Sequence, residues 1–181
     1  MHTQLYLRQA LSVLCLQFDV FSHRMKTATV HELKDELQQI PPAQVVELCL
    51  RLAKFKKENK ELLTYLLFEA HDQEAYINMV KQQTEENFIE VNTTQLYFAK
   101  KTLRKILRII NKHIKYMGSK QAEAELLIHF CSQLKESGIA LHKSTILTNL
   151  YNQQIIKINK ALSTLHEDIQ YDYKKAMKEL S

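Results

Sequence analysis

Between Val91 and Ala122 the chain carries eight basic side chains and no carboxylate: Lys100, Lys101, Arg104, Lys105, Arg108, Lys112, Lys115 and Lys120. The whole 181-residue protein is only +5, so the remainder is −3 and the basic excess is local. Clustered ammonium and guanidinium groups bind nucleic-acid phosphates by releasing condensed counterions, and they attract acidic proteins or anionic lipid surfaces in the same way. At 100° per residue, Lys101, Arg104, Lys105, Arg108, Lys112 and Lys115 fall within an arc of about 100° along roughly 20 Å of helix. Tyr97 shares that face, where its ring is placed to stack on an unpaired base. These seven residues, on a helix over 97–117, form the candidate site for nucleic acid or an acidic partner.

Other groups with reactive side chains assemble less well. Glu58 and Glu61 form E-x-x-E, and Glu69 and Asp72 form E-x-x-D. That pairing resembles the magnesium motif of all-α nucleotide pyrophosphatases, which would make Glu58, Glu61, Glu69 and Asp72 the carboxylates of a metal-dependent hydrolase. In that family a longer linker separates the two halves, whereas here the gap is seven residues. If 44–70 is one helix, all four acids project opposite its Leu/Val stripe, into solvent. Glu125 and His129 stand at i, i+4, but no second pair of this kind completes a di-metal set. His166, Glu167 and Asp168 are consecutive and diverge on a helix. No local turn presents a serine or cysteine as an activated nucleophile. No catalytic residue, metal site or cofactor is assigned.

The elements that must position the basic arc are helical. Gly118 and Gly138 are the only glycines, so neither a G-x-G-x-x-G turn nor a P-loop can be written. Asn-Gly and Asp-Gly hairpin turns are absent, and the only prolines are the adjacent Pro41 and Pro42. Thr29 and Glu32 have capping-box spacing, predicting a short helix over about 30–39, with Pro42 in the first turn of the next. Whether one helix or two covers 44–70 is open, because the polar run Lys56 to Glu61 interrupts the apolar stripe. Asp72 caps a following helix through Tyr76, Ile77 and Val80. In the basic helix Leu96, Ala99, Leu103, Ile106, Leu107, Ile110, Ile114 and Met117 gather opposite the cations, with Thr93 or Thr94 as cap and Gly118 as terminator. A further helix covers 123–134. From Ser144 or Thr145 a long helix carries Tyr151, Ile155, Ile158, Leu162, Leu165 and Ile169 at heptad-like intervals. Packing within the chain is the expected use of that seam, and a homodimer through 147–173 is the alternative.

Residues 1–25 contain no lysine and no glutamate, while all twenty lysines follow. Residues 1–24 therefore read as an N-terminal extension or extra helix, with Met25 an alternative start, and 25–181 as a single all-α domain. The apolar run 10–18 ends in Asp19, lacks a cleavage site and is too short to span a bilayer. Cys15, Cys49 and Cys131 have no C-x-x-C spacing and are expected as reduced, buried thiols of a cytoplasmic protein.

The runs ELCLRLAKFKKENKELLTYLLFEA (47–70) and LTNLYNQQIIKINKALSTLHEDIQYDY (147–173) resemble a family of bacterial all-helical proteins of uncharacterised activity. The resemblance implies a bacterial cytosolic setting and brings no site residues. The expectation is thus an all-α domain, a helical bundle or irregular array of six to eight helices with a long C-terminal helix. It acts as a non-enzymatic interaction protein, and nucleic acid is the first partner to consider.

Overall fold

A computed structural model of the protein describes residues 26–180. Among them are eight α-helices, one π-helical turn, one 3₁₀ turn and no strand. The helices are α1 (Val30–Gln39), α2 (Pro42–Phe55), α3 (Lys57–Thr64), α4 (Gln73–Ile89), α5 (Leu96–Met117), α6 (Lys120–Glu136), α7 (Thr145–Leu162) and α8 (Glu167–Leu180). The expectations for residues 1–25, including the start at Met25 and the thiol of Cys15, lie outside the described residues. No helix among the described residues is long and apolar enough to cross a membrane.

The chain divides into two units between Cys49 and Leu50. In the first, the capping box is formed as its spacing predicts: Thr29 Oγ1 accepts from Glu32 N, and Glu32 Oε2 accepts from Thr29 N at 2.7 Å. Ile40 is extended ahead of Pro41, and Pro42 opens α2. Neither α1 nor α2 buries a residue. Cys49 is exposed, against the expectation that the thiols are buried.

The second unit is organised around α6. Leu126, Leu127 and Ile128 are consecutive and all buried, together with Ala122, Ala124, Phe130, Cys131 and Leu134. Three consecutive buried positions span more than half of the helix circumference, and α6 packs on α4, α5, α7 and α8. Phe130 meets Phe88 of α4 with ring centroids 5.5 Å apart. Ser119 caps α6, and Gly118 at φ +61° ends α5. That left-handed conformation strains any side chain that would replace the glycine hydrogen.

The choice left open at 44–70 and two local differences from expectation have identifiable causes. The stretch 44–70 is two helices and a π-turn. Lys56 is extended, and Asn59 Nδ2 donates to the Leu52 carbonyl exposed by the break at 2.9 Å. Thr93 and Thr94 do not cap α5. Asn92 Oδ1 instead accepts from Thr94 N and Gln95 N, holding the turn before Leu96. The C-terminal segment, expected as one long helix past Ile169, breaks after Leu162. There Ser163 Oγ and Thr164 Oγ1 donate back to the carbonyls of Lys160 and Ala161, offering the backbone an alternative to further helix. The seam is used within the chain all the same: Ile158 and Leu162 are buried, and Tyr151, Ile155 and Leu165 pack on the core.

Phe130 is fully buried on α6 and packs on Phe88 of α4, so truncation leaves a cavity in the core. Phe130→Ala is expected to lower unfolding free energy by about 3–5 kcal/mol, measured by urea denaturation at neutral pH. A loss under about 1 kcal/mol would show that α6 is not the packing centre.

Candidate functional site

The 22-residue α5 divides along its length. Ala99, Leu103, Ile106, Leu107, Ile110 and Tyr116 are buried, and Leu96, Ile114 and Met117 pack on the core from its edge. Lys101, Arg104, Lys105, Arg108 and Lys115 are exposed on the other side. Among the described residues, none of these five has a carboxylate partner within ion-pair distance. Tyr97 is 69% exposed at the head of this ridge, with the Lys100 ammonium 5.5 Å from its ring centroid. Lys120 is taken up by Glu123 at 2.6 Å.

Lys112 departs from the ridge. Its Nζ lies 2.7 Å from Glu61 Oε2, and Tyr116 Oη donates to the same oxygen at 2.9 Å. Lys57 adds a longer contact to Glu61 Oε1 at 3.7 Å. Lys112 therefore ties α5 to α3 rather than waiting for a ligand. The hydrogen bond from Lys112 holds the Glu61 carboxyl below its ordinary value, while burial and the bond to Glu61 raise the Tyr116 phenol well above its own.

The four carboxylates of the hydrolase expectation do not gather. Glu61 is turned into the contact with α5, not outward as a continuous helix would place it. Glu58 is exposed, and Asp72 accepts from Ala75 N at 2.9 Å as the cap of α4. Among the described residues no group of three or more His, Cys, Asp or Glu side chains is placed to hold a metal ion. Glu125 bonds Lys81 at 2.6 Å and Tyr173 at 3.3 Å. His129 stands 3.3 Å from Glu85 Oε1 without the alignment of a hydrogen bond, so Glu125 and His129 face different partners.

Two clefts flank the ridge. On one side, Arg104, Leu107 and Asn111 of α5 face Ile146, Asn149, Leu150, Gln153, Gln154 and Lys157 of α7 across a cleft of about 400 Å³. None of these lining residues is acidic, so Lys157 extends the basic surface onto a second helix. Gln154 is buried there, its Nε2 donating to the Leu150 carbonyl at 3.0 Å and its Oε1 unpartnered.

The other cleft, about 790 Å³, lies between α3, the π-turn Tyr65–Glu69, α4 and α5. In the π-turn the Ala70 amide donates to Tyr65 O at 2.9 Å, a bond spanning five residues. This turn buries Tyr65 while leaving Leu66, Leu67 and Phe68 exposed. The Tyr65 ring packs on Tyr76 with centroids 4.6 Å apart. Tyr76 Oη is 2.7 Å from His113 Nδ1, and His113 meets both Tyr76 and Tyr116 edge-on. Burial pushes the Tyr76 phenol up to about 12 and, with Lys112 nearby, lowers His113, so its imidazole is neutral at pH 7. Sequence reasoning missed this cleft because its parts are single residues on four separate elements. The signal available was the alternation of Tyr65, Tyr76 and Tyr116 with apolar stripe residues.

Glu61 titrates below 4.5 in the fold, so its pairing stabilises the protein fully above that value and is lost as pH falls through the depressed one. His113 works in the same direction, its protonation disfavouring the fold below pH 6.5. Glu61→Gln is expected to melt at lower temperature than the parent at pH 7, with the gap narrowing steadily below pH 4.5. A gap unchanged at pH 3 would contradict the charge-assisted role. No family model matches the chain, and no curated protein or solved structure matches it either.

Proposed function

We propose that this protein is a non-enzymatic helical module that binds nucleic acid through the exposed ridge of α5. The observation that carries the reading is the set of five cations, Lys101, Arg104, Lys105, Arg108 and Lys115, left without carboxylate partners among the described residues. A solvated helix surface usually mixes signs, because opposite charges at i, i+4 stabilise it and like charges do not. Here repulsion along roughly 20 Å of helix is tolerated, and a polyanion removes it. The helix is held by its buried opposite face, so the charges are presented on a rigid element and binding costs little ordering. Lys157, beside Arg104 in the α5–α7 cleft, widens the footprint.

An acidic protein would satisfy the same charges and is the outcome to consider if phosphate is not bound. The metal-dependent hydrolase reading has less support, since Glu61 and Asp72 are committed to structural bonds. We keep the bacterial cytosolic setting implied by the resemblance as part of this reading, with Cys49 and Cys131 as separate thiols. The reading assigns the stripe within 147–173 to the chain's own core rather than to a second subunit.

Fluorescence anisotropy with labelled oligonucleotides at several salt concentrations tests it. Five phosphate contacts predict a slope of log affinity on log salt of about −4.5 for duplex DNA. Arg104→Glu/Arg108→Glu is expected to reduce the slope by about 2 and to weaken binding at least tenfold at low salt, with helix content unchanged by circular dichroism. Equal binding by parent and variant, or none by the parent at low salt, would remove the ridge from consideration.

A further inference from the structure

The aromatic cleft beside the ridge has a composition that binding a phosphate backbone alone does not use. We infer that it receives an unpaired nucleobase from a single strand whose phosphates lie along α5, an inference that rests on the function proposed above. Its volume, about 790 Å³, is within the range of small-ligand clefts. Its floor is built from Tyr65, Tyr76 and Tyr116, and the hydroxyls of the last two are already bonded to His113 and Glu61. Tyr65, Tyr76 and Tyr116 are buried and close the floor with apolar rings, while the accessible apolar surface comes from Met79, 44% exposed with a polarisable thioether, and from the stems of the exposed Lys57 and Lys60. Planar bases gain most from such surface, and any base has a π-face to offer.

Charge around the cleft is arranged for a nucleotide as well. Lys57 and Lys60 line it from α3 and are exposed, and Lys60 has no carboxylate partner among the described residues. Lys112, committed to Glu61, lines the cleft from the same helix that carries the ridge, between Arg108 and Lys115, so a strand following the free cations of α5 passes the opening. The Glu61 carboxylate in the wall is offset by Lys112 and Lys57. Glu69, on the π-turn, is an acceptor suited to the exocyclic amine of adenine or cytosine. A base held in a duplex has its faces stacked and cannot enter. The cleft therefore makes the protein selective for single strands, a property that the ridge lacks.

The test compares an adenine oligonucleotide of about twelve residues, single-stranded or paired with its complement, binding to the full chain at matched salt. A second labelled strand carries 2-aminopurine, whose emission falls on stacking. Met79→Glu and Lys60→Glu alter exposed lining residues and leave the tyrosine floor intact. Melting of both variants near the parental temperature establishes that they fold. The expected result is single-strand affinity about tenfold above duplex affinity, with 2-aminopurine quenched on binding. Met79→Glu abolishes both the preference and the quenching while leaving duplex affinity unchanged, and Lys60→Glu reduces the preference. Equal affinity for both forms, without quenching and with Met79→Glu indistinguishable from the parent, overturns the cleft and leaves the ridge standing. Absence of binding to either form at low salt overturns the ridge reading and the cleft with it.

Discussion

Packing on α6 is the constraint on which the rest of the second unit depends. A helix with three consecutive buried apolar residues cannot lie at a surface, so four other helices are drawn around it. Each of those four needs only one apolar face to satisfy the contact. Each keeps some surface that its packing does not use, and on α5 that surface carries the cations. The burial that stabilises the unit and the exposure that makes the ridge available are two aspects of one arrangement.

Charge is distributed by the same logic. Where α5 approaches α3, an unpaired Lys112 would be partly desolvated, and Glu61 with Tyr116 satisfies it. Where α5 meets water, solvent screens its cations and no partner is required. The ridge is thus the part of the basic arc that tertiary structure has not consumed. The tyrosine cleft arises from the same approach of α3 and α4 to α5, with the π-turn making the fit. The Tyr76 and Tyr116 hydroxyls are engaged by His113 and Glu61, and the buried rings close the floor.

Much of this was legible in the residues because the determinants are local. The capping box at Thr29 and Glu32, the stop before Pro41, the cap at Asp72 and the left-handed Gly118 each act within a few positions of their cause. The division of α5 into buried and exposed faces followed from its period alone. Legibility failed where a distant partner decides. Lys112 falls inside the basic arc by angle, yet Glu61, fifty-one positions earlier, claims it. The break at Lys56 redirects α3 and with it Glu61, which a continuous helix would have left in solvent. The stop after Leu162 was hidden because the apolar seam continues across it, and only the back-bonding hydroxyls of Ser163 and Thr164 mark the change.

The π-turn at Tyr65–Glu69 accommodates one residue more than an α-helical turn of the same rise. The extra residue widens the turn and advances the helix no further, so removing one of the five returns the segment to ordinary winding while the chain on either side keeps nearly the same facing. What such a deletion removes is the wide turn itself, the feature that buries Tyr65 against Tyr76 while Leu66, Leu67 and Phe68 stay exposed. The bulge is therefore a local addition that reshapes the cleft wall without re-aiming α3.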